Sequence, residues 1–80
     1  MITPEQCRAA RALVGVSAEQ LAASAGISHV TLKRFESGRT MQAETIVAIT
    51  DAIQRAGVTL LAAGDLVPGG EGVRLTPKPE

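Results

Sequence analysis

The chain has 80 residues, eight basic and eight acidic, with one cysteine and one aromatic residue. One domain near the lower size limit for folding without staples is expected, and a lone cysteine excludes an internal disulfide framework. No charged start leads into a long apolar run, so neither a signal peptide nor a membrane span is expected, and the chain reads as cytoplasmic. With Phe35 as the single aromatic, the core must be built from Ala, Leu, Ile and Val, and Cys7 reads as a small core residue.

Thr3-Pro4-Glu5-Gln6 starts a first helix: Thr3 caps it, Pro4 suits the first helical position and Gln6 completes a capping box. Cys7, Ala10 and Leu13 or Val14 recur at helical spacing, and Gly15 ends the run. Ser17-Ala18-Glu19-Gln20 is a second capping box, followed by a short helix through Leu21, Ala22 and Ala25 that Gly26 stops. Ser28 caps a third helix, with Glu36 near its end and Gly38 as its stop. A fourth runs from Ala43 to Ala56 on the stripe Ile46, Ile49, Ala52, Ile53 and Ala56, with Gly57 as its cap.

After Gly57 the period changes. Val58 to Leu61 and Val73 to Thr76 are short and rich in β-branched and apolar residues, as strands are. The segment between them is long for a simple hairpin, and two isolated strands are marginal in water. They must pack on the helices or join a second copy. The expected division is a helical domain at 1–57, a β extension at 58–76 and a tail at 77–80. Dimerisation is expected through Val58, Leu60, Leu61, Val73 and Leu75. Gly69-Gly70-Glu71-Gly72 lacks the Gly-Lys-Ser/Thr of a phosphate loop and reads as a connector.

The charge is polarised. Arg8 to Arg39 carries five basic residues against two acidic ones, while Thr40 to Glu80 carries three against five. A field of that shape orients a protein on a polyanion without a high net charge. At about 100° per residue, Leu32 and Phe35 define the inner side of the third helix. Val30 and Arg34 lie opposite, flanked by Lys33 and Thr31, with His29 in the first turn and Ser28 at the cap. A short helix, a glycine turn and a second helix is the arrangement whose second helix enters the DNA major groove. Arg34 can pair with guanine, Val30 can touch a thymine methyl, Lys33 suits guanine or phosphate, and Ser28 and Thr31 can bond phosphates or base edges.

Arg11 to about Ala56 resembles the phage-repressor-like helix-turn-helix family, the Xre family, in Arg11, Gly15, Ser17, Leu21-Ala22, Ala25-Gly26-Ile27-Ser28, Thr31-Leu32, Glu36 and Gly38. The resemblance implies a mainly α, lambda-repressor-like domain of four to five helices, here with a short two-stranded β extension. It implies that Ser28, His29, Val30, Thr31, Lys33 and Arg34 face bases, that Ser17, Arg39 and Thr40 touch phosphate, and that Arg11 and Glu36 form a structural ion pair. Family members are DNA-binding regulators that usually act as dimers. Where the family usually has a phosphate-contacting Gln after the Ser17 position, this chain has Ala18.

The expected function is therefore a bacterial or phage transcriptional regulator, a repressor that binds a palindromic operator on double-stranded DNA as a homodimer in the nucleoid, with contact to RNA polymerase as a further route. The competing expectation is a protein-interaction module, antirepressor or antitoxin-like, that keeps the fold without DNA binding. One His and one Cys without an acidic cluster offer neither a metal site nor a nucleophile–base pair, so no enzyme activity, metal or cofactor is expected.

Overall fold

Four helices followed by a two-stranded antiparallel ladder make up the computed structural model, which describes residues 2–61 and 72–75. The connector from Ala62 to Glu71, Thr76, the 77–80 tail and the side chains of Arg74 and Leu75 lie outside the described residues.

Helix α1 (Pro4–Val14) begins as its capping box requires: the Gln6 amide N–H donates to Thr3 Oγ1 at 3.1 Å, and Thr3 N–H donates to Gln6 Oε1 at 3.0 Å. The same reciprocal pair, Ser17 with Gln20, opens α2 (Ala18–Ala25). Helix α3 (His29–Glu36) is capped by Ser28 and stops where expected: Ser37 is its C-cap, Gly38 follows at φ 99°, and the Gly38 and Arg39 N–H groups donate to the Phe35 and Arg34 carbonyls, both at 3.0 Å. Helix α4 (Ala43–Arg55) opens at Gln42 without a side-chain cap and closes at Ala56, so the expected cap, Gly57, lies one residue further on.

Two glycines decide the path. Gly26 adopts φ 72° between α2 and α3, and its N–H reaches the Ala22 and Ala23 carbonyls. Gly57, at φ 97°, turns the chain from α4 into the first strand. Nothing crowds the space a Cβ would take at either, so the requirement is one of backbone conformation.

The core gathers Leu32 and Phe35 of α3, Ile49, Ala52 and Ile53 of α4, Leu21 and Ala22 of α2, and Cys7 and Ala10 of α1. Alanines let the helices approach closely. Burial of a side chain the size of Leu32 or Ile49 contributes about 1.5–3 kcal/mol. Of the two expected positions on α1, Val14 packs on the core while Leu13 stays 44% exposed.

Strands β1 (Val58–Leu61) and β2 (Gly72–Leu75) pair within the chain in the register Val58 with Leu75, Thr59 with Arg74, Leu60 with Val73 and Leu61 with Gly72. Val58 is 1% exposed and belongs to the helical core, against which Leu60 and Val73 also pack. Gln6 fastens the ladder to α1. Its Nε2 donates to the Leu61 carbonyl at 2.8 Å and to the Gly72 carbonyl at 2.9 Å, one acceptor on each strand. The mainly helical class and the short ladder are those expected. The ladder's packing on its own helices commits Val58 inside the protomer, which removes that side chain from any surface a second copy could meet.

Candidate nucleic-acid interface

Leu32 and Phe35 point into the core from α3, which fixes the rotation of the helix about its axis. His29, Val30, Lys33 and Arg34 consequently lie exposed, with Ser28 exposed at the cap and Thr31 half-buried. Val30, at 55% exposure, is a large apolar side chain held in water at the centre of a polar helix face. No ion-pair partner faces Lys33, Arg34 or Arg39 among the described residues.

The first turn of α3 is locked by its own hydroxyls. Ser28 Oγ accepts from the Thr31 N–H at 3.0 Å and donates to Thr31 Oγ1 at 2.8 Å. Thr31 keeps its own hydroxyl proton to donate, to a phosphate oxygen or a base acceptor. At the other end, the Arg39 N–H donates to the Arg34 carbonyl at 3.0 Å, which draws exposed Arg39 against the end of α3, with Thr40 exposed next to it. Ser17 is exposed at the N-cap of α2, whereas Ala18 is buried in the core beside it.

Arg11 and Glu36 meet across α1 and α3 as a two-pronged pair: Arg11 Nε donates to Glu36 Oε2 and Arg11 Nη2 to Glu36 Oε1, both at 2.8 Å. Two further donors, which sequence reasoning missed, converge on the same residue. Cys7 Sγ donates to Glu36 Oε2 at 3.1 Å, and Arg8 Nη1 donates to the Glu36 backbone carbonyl. The signal for Cys7 was present: it lies four residues before Arg11, and such positions share a helix face. Arg8 also approaches Glu5 at 3.9 Å.

The electrostatics follow from this crowding. Burial pushes the Glu36 carboxyl upward, but the hydrogen bonds from Arg11 and Cys7 and the charges of Arg11 and Arg8 outweigh it and hold the group below its ordinary value. Burial first, and then the hydrogen bond to Glu36 and its negative charge, push the Cys7 thiol far above its ordinary range, so it remains a neutral donor. The described residues contain no cluster of His, Cys, Asp and Glu able to hold a metal ion, and no helix long and apolar enough to cross a membrane.

The arrangement offers an exposed cationic helix with one apolar contact point, hydroxyl donors at its N-terminal end, and a buried brace at its C-terminal end. A family model described as a helix-turn-helix domain matches residues 5–66, which runs from the second residue of α1 through α2, α3, α4 and β1. No curated protein matches the sequence.

Proposed function

The chain belongs to the helix-turn-helix domain family, and from that premise we propose that it is a sequence-specific regulator of the phage-repressor-like (Xre) kind, acting on double-stranded DNA. In this reading α3 enters the major groove by its N-terminal end. Arg34 and Lys33 read guanine, Val30 meets a thymine methyl, His29, Ser28 and Thr31 contact base edges near the cap, and Ser17, Arg39 and Thr40 hold phosphates. The observation that carries the reading is the outward set Val30, Lys33 and Arg34, exposed together on a helix whose opposite side is anchored in the core.

One eight-residue helix, about 12 Å long, reaches few base pairs, so a homodimer on a palindromic site completes the reading. Two recognition helices would lie roughly 34 Å apart on one face of the duplex. The dimer contact falls to the outer edges of the ladder and to Leu61, which lies on the face of β1 opposite Val58 and Leu60, since Val58, Leu60 and Val73 pack on the protomer's own core. Occlusion of a promoter makes the protein a repressor; contact with RNA polymerase would make it an activator.

The second reading, a protein-interaction module without DNA binding, draws on the zero net charge and on Ala18. Selection of bound fragments from a random DNA pool separates the two. Enrichment of one palindromic motif is the expected result, and a pool that stays random at low salt would leave the interaction-module reading in its place.

A further inference from the structure

We infer that Cys7 is a positioning residue for α3, its thiol acting with the neighbouring Arg8 to hold Glu36 and thereby to set how the recognition helix sits on DNA. The inference rests on the DNA-binding reading above and adds to it a residue from outside the DNA-facing surface.

The geometry carries it. Among the described residues, every donor that reaches the Glu36 side chain comes from α1, on which Cys7, Arg8 and Arg11 occupy neighbouring positions. Arg11 supplies one donor to each carboxylate oxygen, and Cys7 adds a second to Oε2. A guanidinium alone can hinge about its own plane while keeping both of its bonds. A third donor approaching from one turn earlier on α1 removes that freedom. Arg8 then pins the backbone of the same residue at the end of α3. Cys7 is wholly buried, so its thiol has no access to water and meets the carboxylate within the core. A group able to donate a hydrogen bond stands at the core position that faces a carboxylate.

Burial raises the ionisation midpoint of Glu36, and Arg11, Cys7 and Arg8 lower it, so the carboxyl itself reports on the contact. The test compares the parent with Cys7→Ala, which removes the donor, and Cys7→Ser, which keeps one. The first measurement is an NMR titration of the Glu36 side-chain carboxyl. Its midpoint moves to higher pH in Cys7→Ala and returns toward the parent value in Cys7→Ser. The second is the affinity ratio between a DNA fragment selected by the parent and the same fragment with its enriched bases scrambled. That ratio falls about three- to tenfold in Cys7→Ala, mainly through loss on the selected fragment, and recovers in Cys7→Ser. Should Cys7→Ala fail to fold, Arg8→Met, at a half-exposed side chain, is expected to lower the ratio in the same direction.

Folded variants with the parent's titration and ratio overturn the inference. So does a Cys7→Ser protein that behaves as Cys7→Ala does, since the thiol would then act by packing. A parent that selects no DNA defeats the DNA-binding reading, and the positioning role with it, while the titration still judges the Cys7–Glu36 contact separately.

Discussion

The carboxylate of Glu36 sits in the last position of a helix, where the aligned peptide dipoles are negative and an anion is disfavoured. It persists there because Arg11 and Arg8 bring positive charge to that end. Replacement by alanine leaves Arg11 without its acceptor. The Arg11 side chain keeps 23% of its exposure and a route to water, so the expected loss is about 2–3 kcal/mol, below the range for a fully buried pair, and thermal melts at neutral pH measure it. The pH dependence has a definite sign. The folded pKa of Glu36 lies below the ordinary 4.5, so its contribution is complete above that value and disappears as the pH falls through the lowered folded value. Glu36→Gln should therefore flatten the acid limb of the melting-temperature profile. On the DNA side, Arg34→Ala should cost about 1–3 kcal/mol and relax preference at one base pair. Arg39→Ala should weaken all sequences alike and reduce the salt slope by about one. Titrations against selected and scrambled DNA at several salt concentrations distinguish them, and equal losses on both DNAs for Arg34→Ala would remove that residue from base readout. The exposed face of α3 was legible from helical periodicity alone, because Leu32 and Phe35 leave one choice of inner side. The Arg11–Glu36 contact entered through resemblance. Cys7 was read only as a core residue, although its place four residues before Arg11 puts it on the helix face that meets Glu36.

At the scale of elements, the capped helices were the most readable parts. Thr3 with Gln6 and Ser17 with Gln20 mark their starts by chemistry that acts within four residues. The end of α3 was readable too, from the glycine that directly follows its C-cap. Gln6 shows where local reading stops. Its capping role depends on Thr3, three residues away, but its bonds to Leu61 and Gly72 depend on tertiary structure. Gln6→Ala should lower stability by about 1–3 kcal/mol through the two carbonyls left without that donor. Gln6→Glu should be worse at neutral pH, because it sets a carboxylate against two carbonyl oxygens, and should recover partly in acid as the carboxyl gains a proton to donate. That acid response is opposite in sign to the one from Glu36. Denaturant unfolding of both variants at two pH values checks it, and a Gln6→Glu protein as stable as the parent would show that the ladder does not depend on the amide.

At the scale of the whole molecule, the described residues share one core, and this changes how assembly can be tested. Removing everything after Gly57 would delete Val58 from that core, so a shortened chain would lose stability whether or not the strands join two copies. Point substitutions are cleaner. Leu61 lies on the other face of β1 from Val58 and Leu60, and Val47 is 57% exposed on α4. Sedimentation equilibrium should find Leu61→Lys monomeric and Val47→Lys still dimeric, with melting temperatures of the dilute proteins near the parent's. The reverse result would move the interface to α4. The sequence alone could not choose between strands folded back on their own helices and strands shared with a neighbour, because both draw on the same alternation of apolar residues.

The Gln6 amide also has a consequence in time. Its partner on β2 lies 66 residues further along the chain. At about 5–20 residues per second of synthesis, α1 waits roughly 3–13 s after its own emergence before the second acceptor exists. Through that interval the buried face of α1 can meet α2, α3 and α4, but the ladder that seals its N-terminal end is missing. A ribosome-bound chain stalled before residue 72 leaves the tunnel should therefore hold a helical body that is looser at α1 than at α3. Proteolysis of such stalled chains would detect the difference as early cutting near residues 4–9, lost once the last strand is free to pair.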